Sequence, residues 1–145
     1  MDSFLSELTE AMTWLGQQPD TLFLGQSVAY PGTKMFPTFE GVPAGKKIEM
    51  PVAEQLQLGI SIGLSLEGFV PVSVFPRFNF LLCAIDMLVN HLDRIPLYSA
   101  YRPRVIVRTA VGSKHPLDPG LQHQDDFTEA FGLMLRTVEV YYLTR

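Results

Sequence analysis

Few residues in this sequence have side chains suited to acid–base chemistry, and two of them stand at informative places. Glu54 offers a carboxyl group just before the apolar stretch 55–66, and His123 offers an imidazole near a segment rich in Gly and Pro. An imidazole can stabilise a carboxylate or relay a proton near neutral pH. Each residue also has an ordinary explanation. An acidic residue is favoured in the first turn of a helix, and a loop histidine beside Asp125 and Asp126 can simply face solvent.

Other reactive groups are weaker candidates. Cys83 has no basic neighbour, so we expect it to pack rather than to act as a nucleophile. The spacing of His115 and His123 matches no metal-ligand pattern, and no metal site is predicted. Three arginines could meet a phosphate, a carboxylate or an acidic partner, although a solvated or interface role is the favoured interpretation. They are Arg102, Arg104 and Arg108.

Composition narrows the class of protein. A chain of 145 residues predicts one domain, and a hydrophobic share of 47% excludes a disordered tail. The formal net charge of −4 argues against nucleic-acid binding, which normally needs a basic excess. Charged residues make up 18% of the chain, below an average of about 25% for soluble domains, which hints at a large buried interface.

The expected location follows from the cysteine count and the apolar segments. A single cysteine rules out an internal disulfide and a cysteine-based zinc site, and it fits a reducing compartment. The first residues lack the basic start and long apolar stretch of a signal peptide. The apolar run 55–66 is too short to span a bilayer. We therefore expect a cytoplasmic protein without a membrane partner.

Strand and helix patterns alternate along the chain, which predicts an α/β fold with a mostly parallel sheet and helices on both faces. The predicted strands are Thr21–Leu24, Lys47–Glu49, Val70–Phe75, Val105–Arg108 and Val138–Leu143. The predicted helices are Ser3–Leu15, a helix capped by Asn79 and running to Arg94, and Phe127–Leu135. Ligand sites in such sheets lie at the carboxyl ends of the strands, and Gln26, Glu54, Phe80 and His123 follow those ends.

The stretch 55–66 is ambiguous on its own pattern. Its Leu and Ile residues alternate strictly with Gln, Gly and Ser, which favours a strand. Twelve residues are many for a strand, and two interior glycines would weaken it. As a helix, the stretch would bring Gly59 and Gly63 onto one face, where another backbone could approach, and Gly68 would end it.

The predicted strand ends carry short motifs in a particular order. They are Met50-Pro51-Val52-Ala53-Glu54-Gln55 followed by the segment Gly59–Gly68, Arg77-Phe78-Asn79-Phe80, Ala84-Ile85-Asp86 with Val89-Asn90, Val107-Arg108-Thr109, and Leu121-Gln122-His123-Gln124. From about Leu22 to Val140, this order resembles the pyrimidine-binding domain of thiamine diphosphate enzymes of the transketolase superfamily. It is most similar to the beta subunit of the decarboxylase component of 2-oxo acid dehydrogenases, of the pyruvate and branched-chain types.

The resemblance implies the thiamine diphosphate-binding fold, with a helix over 55–66, and it assigns roles to site residues. Glu54 would bond the aminopyrimidine ring nitrogen of thiamine diphosphate and so favour ionisation of its thiazolium carbon. Phe80, or Phe78 in another register, would stack on the aminopyrimidine. His123 would face the substrate and the acyl acceptor. Gln26 would also contact the cofactor.

Two residues depart from the family pattern. Gln26 stands where the family usually has a glutamate, and Gln124 replaces the serine of the motif that contains His123. An amide cannot donate or accept a proton as a carboxyl group does. Gln26 therefore puts full catalytic competence in doubt, or implies altered chemistry.

The resemblance also implies a partner. Members of the family bind Mg²⁺ and the diphosphate on a second domain through a Gly-Asp-Gly motif, and this sequence contains no such motif. We expect residues 1–145 to form a single pyrimidine-binding domain that lacks the diphosphate-binding and C-terminal transketolase domains. It would supply half a cleft to a larger diphosphate-binding subunit, in a homo- or hetero-oligomer.

Three hypotheses follow for the function. In the first, the complex decarboxylates a small 2-oxo acid and transfers the acyl or ketol unit, as a dehydrogenase or a transketolase-like transferase does. In the second, the chain is a catalytically inactive scaffold or regulatory homologue that dimerises with a larger subunit. The third, a free-standing α/β domain that binds a small molecule, is the least favoured.

Overall fold

The computed structural model describes residues 3–112, 114 and 118–143. Within them, four strands form one sheet in the order β2-β1-β3-β4, and every neighbouring pair is parallel. The strands are Thr21–Gly25 (β1), Lys47–Glu49 (β2), Val70–Val74 (β3) and Ile106–Arg108 (β4). The α-helices are Ser3–Gln17 (α1), Glu54–Leu66 (α2), Phe78–Leu81 (α3), Ile95–Tyr98 (α4) and Thr128–Met134 (α5). The α/β class and the parallel sheet are thus confirmed.

Helical layers cover both faces of the sheet, as expected. Successive side chains of a strand point to opposite faces. On one face, Phe23, Val72 and Val74 pack in a cluster with Met12 of α1 and with Phe39, which lies in a 3₁₀ turn after β1. On the other face, Ser73 receives a hydrogen bond from Gln57 of α2. The apolar residues of α2 and of the segment after β3 form a second core cluster on that side.

The segment 54–66 is a helix, so the strand interpretation of its alternating pattern is wrong. The buried residues include Gln57, Ser61 and Ser65 as well as Leu58 and Ile62. Leu56 and Ile60, in contrast, are exposed. Because apolar residues lie on both the buried and the exposed face, and polar residues are buried, the helical period of 3.6 is hidden in the sequence. The helix ends before Gly68, whose φ of +94° favours glycine.

The helix predicted from Asn79 to Arg94 is confirmed in part: residues 78–92 are helical without a break, but the helix is irregular and ends before Arg94. Short α3 is followed by a 3₁₀ turn at Leu82–Ala84, a π-helical turn at Met87–Leu92, and then α4. Asn79 does not cap this segment, because α3 begins at Phe78 and the Asn79 amide donates to Asp125 instead. Pro96 lies in the first turn of α4, where its missing N–H is tolerated.

Cys83 is exposed, which corrects the expectation that it packs.

The predicted strand Val138–Leu143 is also absent, since residues 138–143 have no regular structure. The physical reason at the start of this segment is Asp93, whose Oδ1 accepts the backbone N–H groups of Arg136, Thr137 and Val138 at 2.8, 2.7 and 3.0 Å. Those donors are not free to pair with a neighbouring strand.

Among the described helices, none is long and apolar enough to cross a membrane.

Candidate functional site

The predicted site residues follow strands that end at one edge of the sheet. Gly25 pairs with Glu49 on one side and with Val74 on the other, and Val74 pairs with Arg108. All four strands therefore finish level with one another. In parallel α/β sheets this carboxyl edge is where ligands bind.

Glu54 is the first residue of α2, directly after the loop that leaves β2. Its side chain is largely buried, with 9% of the residue exposed. Within the described residues, no hydrogen bond or ion pair engages its carboxyl group, although buried polar groups are normally bonded. The Glu54 carboxyl group is thus held at the edge of the sheet with its bonding capacity unused.

Gln57 fixes the start of α2 against the sheet, a role that sequence reasoning missed. Its buried Nε2 donates to the Val74 carbonyl at 3.0 Å and to the Ser73 hydroxyl at 3.1 Å. Because Gln57 lies one turn after Glu54, these bonds also set the position of the Glu54 backbone. The only signal in the sequence is a polar residue inside an apolar segment, and that signal does not reveal its partners.

Glu49 holds the loop that carries Gln26. Its carboxylate accepts the backbone N–H groups of Ser27 at 2.6 Å, Val28 at 3.1 Å and Ala29 at 2.8 Å. Ser27 has a φ of +58°, a strained value for a residue with a side chain. The three bonds stabilise this turn, which fixes the backbone on one side of Gln26. We call these three hydrogen bonds the Glu49 clamp. Sequence reasoning did not find it, since Glu49 lies 20 to 22 residues from the N–H groups that it accepts.

Gly25, which ends β1, admits no other residue. Its φ is +153°, and a Cβ at this position would overlap the carbonyl oxygen of Val74 on the neighbouring strand. Close contact of the two backbones at the carboxyl edge therefore depends on this glycine. Gln26 follows it and is half-buried.

Phe80 and His123 lie in contact, although they are far apart in sequence. Their ring centroids are 5.1 Å apart, with 47° between the ring planes. Both residues are half-buried. Arg77 Nη1 approaches the His123 carbonyl oxygen at 3.5 Å. The sequence predicted both rings for the site, and the structure brings them together.

Phe78 has a different role from Phe80. It is 5% exposed and packs against Phe127 and Phe131, with ring centroids 5.5 and 5.2 Å away. Its ring is therefore part of the core, which leaves little of it free to stack on a ligand. Of the two aromatic candidates, Phe80 is the one at the carboxyl edge with part of its ring accessible.

Buried polar atoms without partners occur in the segments that carry Phe80 and His123 and directly after β4. They are Asn79 Oδ1, Thr109 Oγ1 and His123 Nδ1, none of which has a hydrogen bond among the described residues. The segments that carry them meet, because Phe78 N donates to the Ala110 carbonyl at 2.9 Å and Asn79 Nδ2 donates to Asp125 at 2.8 Å. Unmet buried polar atoms indicate a place where water or a polar ligand completes the bonding.

Phe80 and His123 contact each other, whereas no hydrogen bond or other contact joins Glu54 to Gln26 within the described residues. In the part of the chain that the structure describes, no hydrogen bond, ion pair or ring contact joins Glu54 or Gln26 to Phe80 or His123. A cavity of about 610 Å³ lies elsewhere, between Leu97, Pro103 and Val138 near the start of β4. The described residues contain no cluster of three or more His, Cys, Asp or Glu side chains that could hold a metal ion.

Comparison with known proteins finds sequence similarity to the beta subunits of several dehydrogenases. No family model matches it. It is 32% identical over 117 residues to the 3-methyl-2-oxobutanoate dehydrogenase subunit beta of Mycobacterium tuberculosis, a match that covers 76% of this chain and 32% of that protein. It is 29% identical over 125 residues to the mitochondrial pyruvate dehydrogenase E1 component subunit beta of Caenorhabditis elegans, covering 83% of this chain and 36% of that protein.

A third relative gives the same result over a shorter span. The mitochondrial pyruvate dehydrogenase E1 component subunit beta of Saccharomyces cerevisiae is 29% identical over 87 residues, covering 59% of this chain and 23% of that protein. The chain thus spans about a third or less of the length of the curated relatives it matches.

Proposed function

Because the chain is related to the beta subunits of 2-oxo acid dehydrogenases, we propose that it forms the pyrimidine-binding half of a thiamine diphosphate site. One observation supports this most strongly. Glu54 is buried at the carboxyl edge of the sheet, and its carboxyl group has no partner among the described residues. The Glu54 oxygens are not among the fully buried, unpaired atoms of the described residues, so a donor from outside the chain can reach them.

The residues present fit the aminopyrimidine of thiamine diphosphate. The unused carboxyl group of Glu54 matches a ring nitrogen, with which one Oε would share a proton. The partly accessible ring of Phe80 offers a flat apolar surface, which suits stacking. When bound, the cofactor supplies the thiazolium carbon that attacks the 2-oxo group of the substrate.

His123 is proposed to face the substrate rather than the pyrimidine. Its ring rests on Phe80, and its Nδ1 is buried without a partner among the described residues. From this position the imidazole would orient the carboxylate of a small 2-oxo acid or relay a proton to the acyl acceptor. Mg²⁺ and the diphosphate would be held by a larger partner subunit.

The separation of Glu54 from Phe80 and His123 supports a cleft that this chain shares with a second polypeptide. The cavity between Leu97, Pro103 and Val138 lies away from Glu54, Phe80 and His123, and no contact joins Glu54 to the two rings within the described residues. A second polypeptide that covers the carboxyl edge would complete the cleft and exclude water. We therefore propose a heteromeric enzyme that decarboxylates a 2-oxo acid and transfers the acyl or ketol unit.

Gln26 favours a second candidate function, an inactive scaffold or regulatory homologue. It stands at the carboxyl edge after Gly25, where the resemblance leads one to expect a glutamate. An amide there cannot exchange a proton. In this alternative the chain keeps its fold and its interface but contributes no catalysis.

The test compares variants in the complex with a candidate partner subunit that carries the Gly-Asp-Gly motif. The rate of decarboxylation of pyruvate and of 3-methyl-2-oxobutanoate is measured with thiamine diphosphate and Mg²⁺. Glu54→Gln should lower the rate by about 10²–10⁴-fold, the usual contribution of a proton-transferring side chain. Glu67→Gln changes an exposed carboxyl group at the other end of α2 and should leave the rate unchanged.

Two outcomes would count against this assignment. A Glu54→Gln complex as active as the wild type would exclude the proposed role of the carboxyl group. A wild-type complex that assembles but retains no thiamine diphosphate would favour the scaffold alternative.

A further inference from the structure

Arg108 ends β4 with its guanidinium turned toward the loop after β1, away from α2. Its Nη1 donates to the Thr38 hydroxyl at 2.8 Å, and its Cζ lies 4.9 Å from the centroid of the Phe39 ring. These two contacts fix the guanidinium on one side by a hydrogen bond and on the other by a cation–π contact. Arg108, Thr38 and Phe39 are called the Arg108 site below.

The charge of Arg108 is not paired. Among the described residues, no carboxylate lies within ion-pair distance of its guanidinium, and Thr38 is its only side-chain hydrogen-bond acceptor. Arg104 provides the contrast, since it donates to the Gly68 carbonyl at 2.7 Å and lies 3.5 Å from the Asp20 carboxylate. Burial lowers the pKa of Arg108 to about 10, so the group is still protonated at neutral pH.

A largely buried cation without a counter-charge is costly, because the interior screens charge less than water does. A neutral hydroxyl and an aromatic face compensate only part of the lost hydration. The Arg108 site therefore has a strong electrostatic preference for an anion. Proteins satisfy such a preference with an acidic side chain or with a ligand.

The remaining N–H groups of Arg108 are accessible to such an anion. None of its nitrogens belongs to the fully buried, unpaired atoms of the described residues. The planar guanidinium matches the two oxygens of a carboxylate, which it binds through parallel hydrogen bonds.

We propose that the Arg108 site binds the carboxylate of a small organic acid at the carboxyl edge of the sheet. A small acid is favoured because Arg108 ends β4 at the carboxyl edge, where parallel α/β sheets bind their small-molecule ligands. This inference goes beyond the proposed function, since it involves neither thiamine diphosphate nor Glu54. The site would stand on the opposite face of the sheet from α2.

The test is an NMR titration of the full ¹⁵N-labelled chain, observed at the Arg108 Nε–H. Acetate and pyruvate should each shift this signal to saturation, with a Kd of about 1 mM. Arg108→Lys keeps the charge but loses the planar fork, and should weaken binding at least about tenfold. Its binding is followed through the amide signals of Thr38 and Phe39.

Matched controls separate binding from folding. Arg104→Lys changes a paired arginine and should bind both acids as the wild type does. Arg108→Met removes the charge and should abolish saturable binding; if it does not fold, as judged by a thermal melt, Arg108→Lys still provides the comparison. Chloride at equal ionic strength should shift the Arg108 signal only weakly and without saturation.

Three results would overturn the proposal. The first is the absence of a saturable shift at Arg108 with either acid. The second is equal affinity in the wild type and in Arg108→Lys. The third is tighter binding of inorganic phosphate than of acetate and pyruvate, which would replace a carboxylate site by a phosphate site. Because no partner subunit or cofactor is present, none of these results depends on the outcome for Glu54.

Discussion

The rings of Phe80 and His123 lie 5.1 Å apart at the carboxyl edge of the sheet, although 43 positions separate them in the sequence. One ring comes from α3 and the other from the 3₁₀ turn Leu121–His123. This contact joins the proposed pyrimidine-stacking surface to the proposed substrate side. Phe80 thus has surroundings that differ from those of Phe78, which packs in the core.

The two phenylalanines should therefore respond differently to truncation. Phe80→Ala should weaken thiamine diphosphate binding to the complex by about 0.5–1.5 kcal/mol from the lost stacking, with a smaller effect on chain stability. Phe78→Ala should lower the free energy of unfolding by about 3–5 kcal/mol, because it leaves a cavity beside Phe127 and Phe131. Cofactor titration and urea unfolding measure the two effects. Equal loss of stability in both variants would contradict this division.

Glu49 should control the mobility of the loop next to Gln26. Glu49→Gln removes the charge and one of the acceptors for the N–H groups of Ser27, Val28 and Ala29. Amide hydrogen exchange at Ser27 and Ala29 should become faster, and stability should fall by about 1–3 kcal/mol. Glu40→Gln, at an exposed position, serves as the control. Unchanged exchange at Ser27 would show that the clamp does not hold the loop.

Asp93 should make stability depend on pH in the acid range. Burial acts to raise its pKa, but the N–H groups of Thr137, Val138 and Arg136, with the nearby Arg94 charge, outweigh it and lower the pKa. Its stabilising contribution is therefore complete above the unfolded-state pKa of about 4 and is lost as the pH falls through the lower folded-state value.

The measurement is urea unfolding as a function of pH for the wild type and for Asp93→Asn. The variant should lose at least about 2 kcal/mol at neutral pH, and the difference between the two proteins should shrink below about pH 4. Glu10→Gln, an exposed change on α1, should leave the pH profile unchanged. A difference that stays constant down to acid pH would contradict the assigned role of the Asp93 charge.

Gly63 offers a test of whether the open face of α2 is covered by another chain. A Cβ at Gly63 meets nothing within 4 Å, so Gly63→Ala should stabilise the isolated chain by about 1 kcal/mol through helix propensity. Gly59→Ala is the companion variant, since its Cβ would come within 3.3 Å of the flexible end of Met87. Thermal melts measure both. If Gly63→Ala stabilises the chain alone but weakens a complex with a partner, the partner packs on this face.

The sequence predicted the parts of the fold that local patterns determine. All four strands of the described sheet were placed within one residue of both ends, and the order of motifs located Glu54, Phe80 and His123 at one edge of the sheet. The alternating residues of 55–66 were misleading without the resemblance, because Gln57, Ser61 and Ser65 are buried while Leu56 is exposed. Polar burial of this kind depends on the sheet beneath the helix.

The features that were missed depend on partners distant in the sequence. Val138–Leu143 has the composition of a strand. At its start, however, the Asp93 carboxylate accepts the N–H groups of Arg136, Thr137 and Val138, which lie 43 to 45 residues away in the sequence. Glu49 accepts the Ser27 N–H across 22 residues of sequence, and Arg108 donates to the Thr38 hydroxyl across 70. The Arg108 guanidinium also contacts the Phe39 ring. No window of neighbouring residues contains both halves of such an interaction.

The central claim is that the Glu54 carboxyl group bonds the aminopyrimidine of thiamine diphosphate across a boundary between two polypeptides. A crystal structure of the complex with thiamine diphosphate and Mg²⁺ measures this contact directly. We predict an Oε of Glu54 at about 2.5–3.0 Å from the pyrimidine ring nitrogen, with Phe80 against the ring. A bound cofactor whose ring nitrogen lies beyond hydrogen-bond distance of Glu54, or whose pyrimidine contacts another chain instead, would contradict the account.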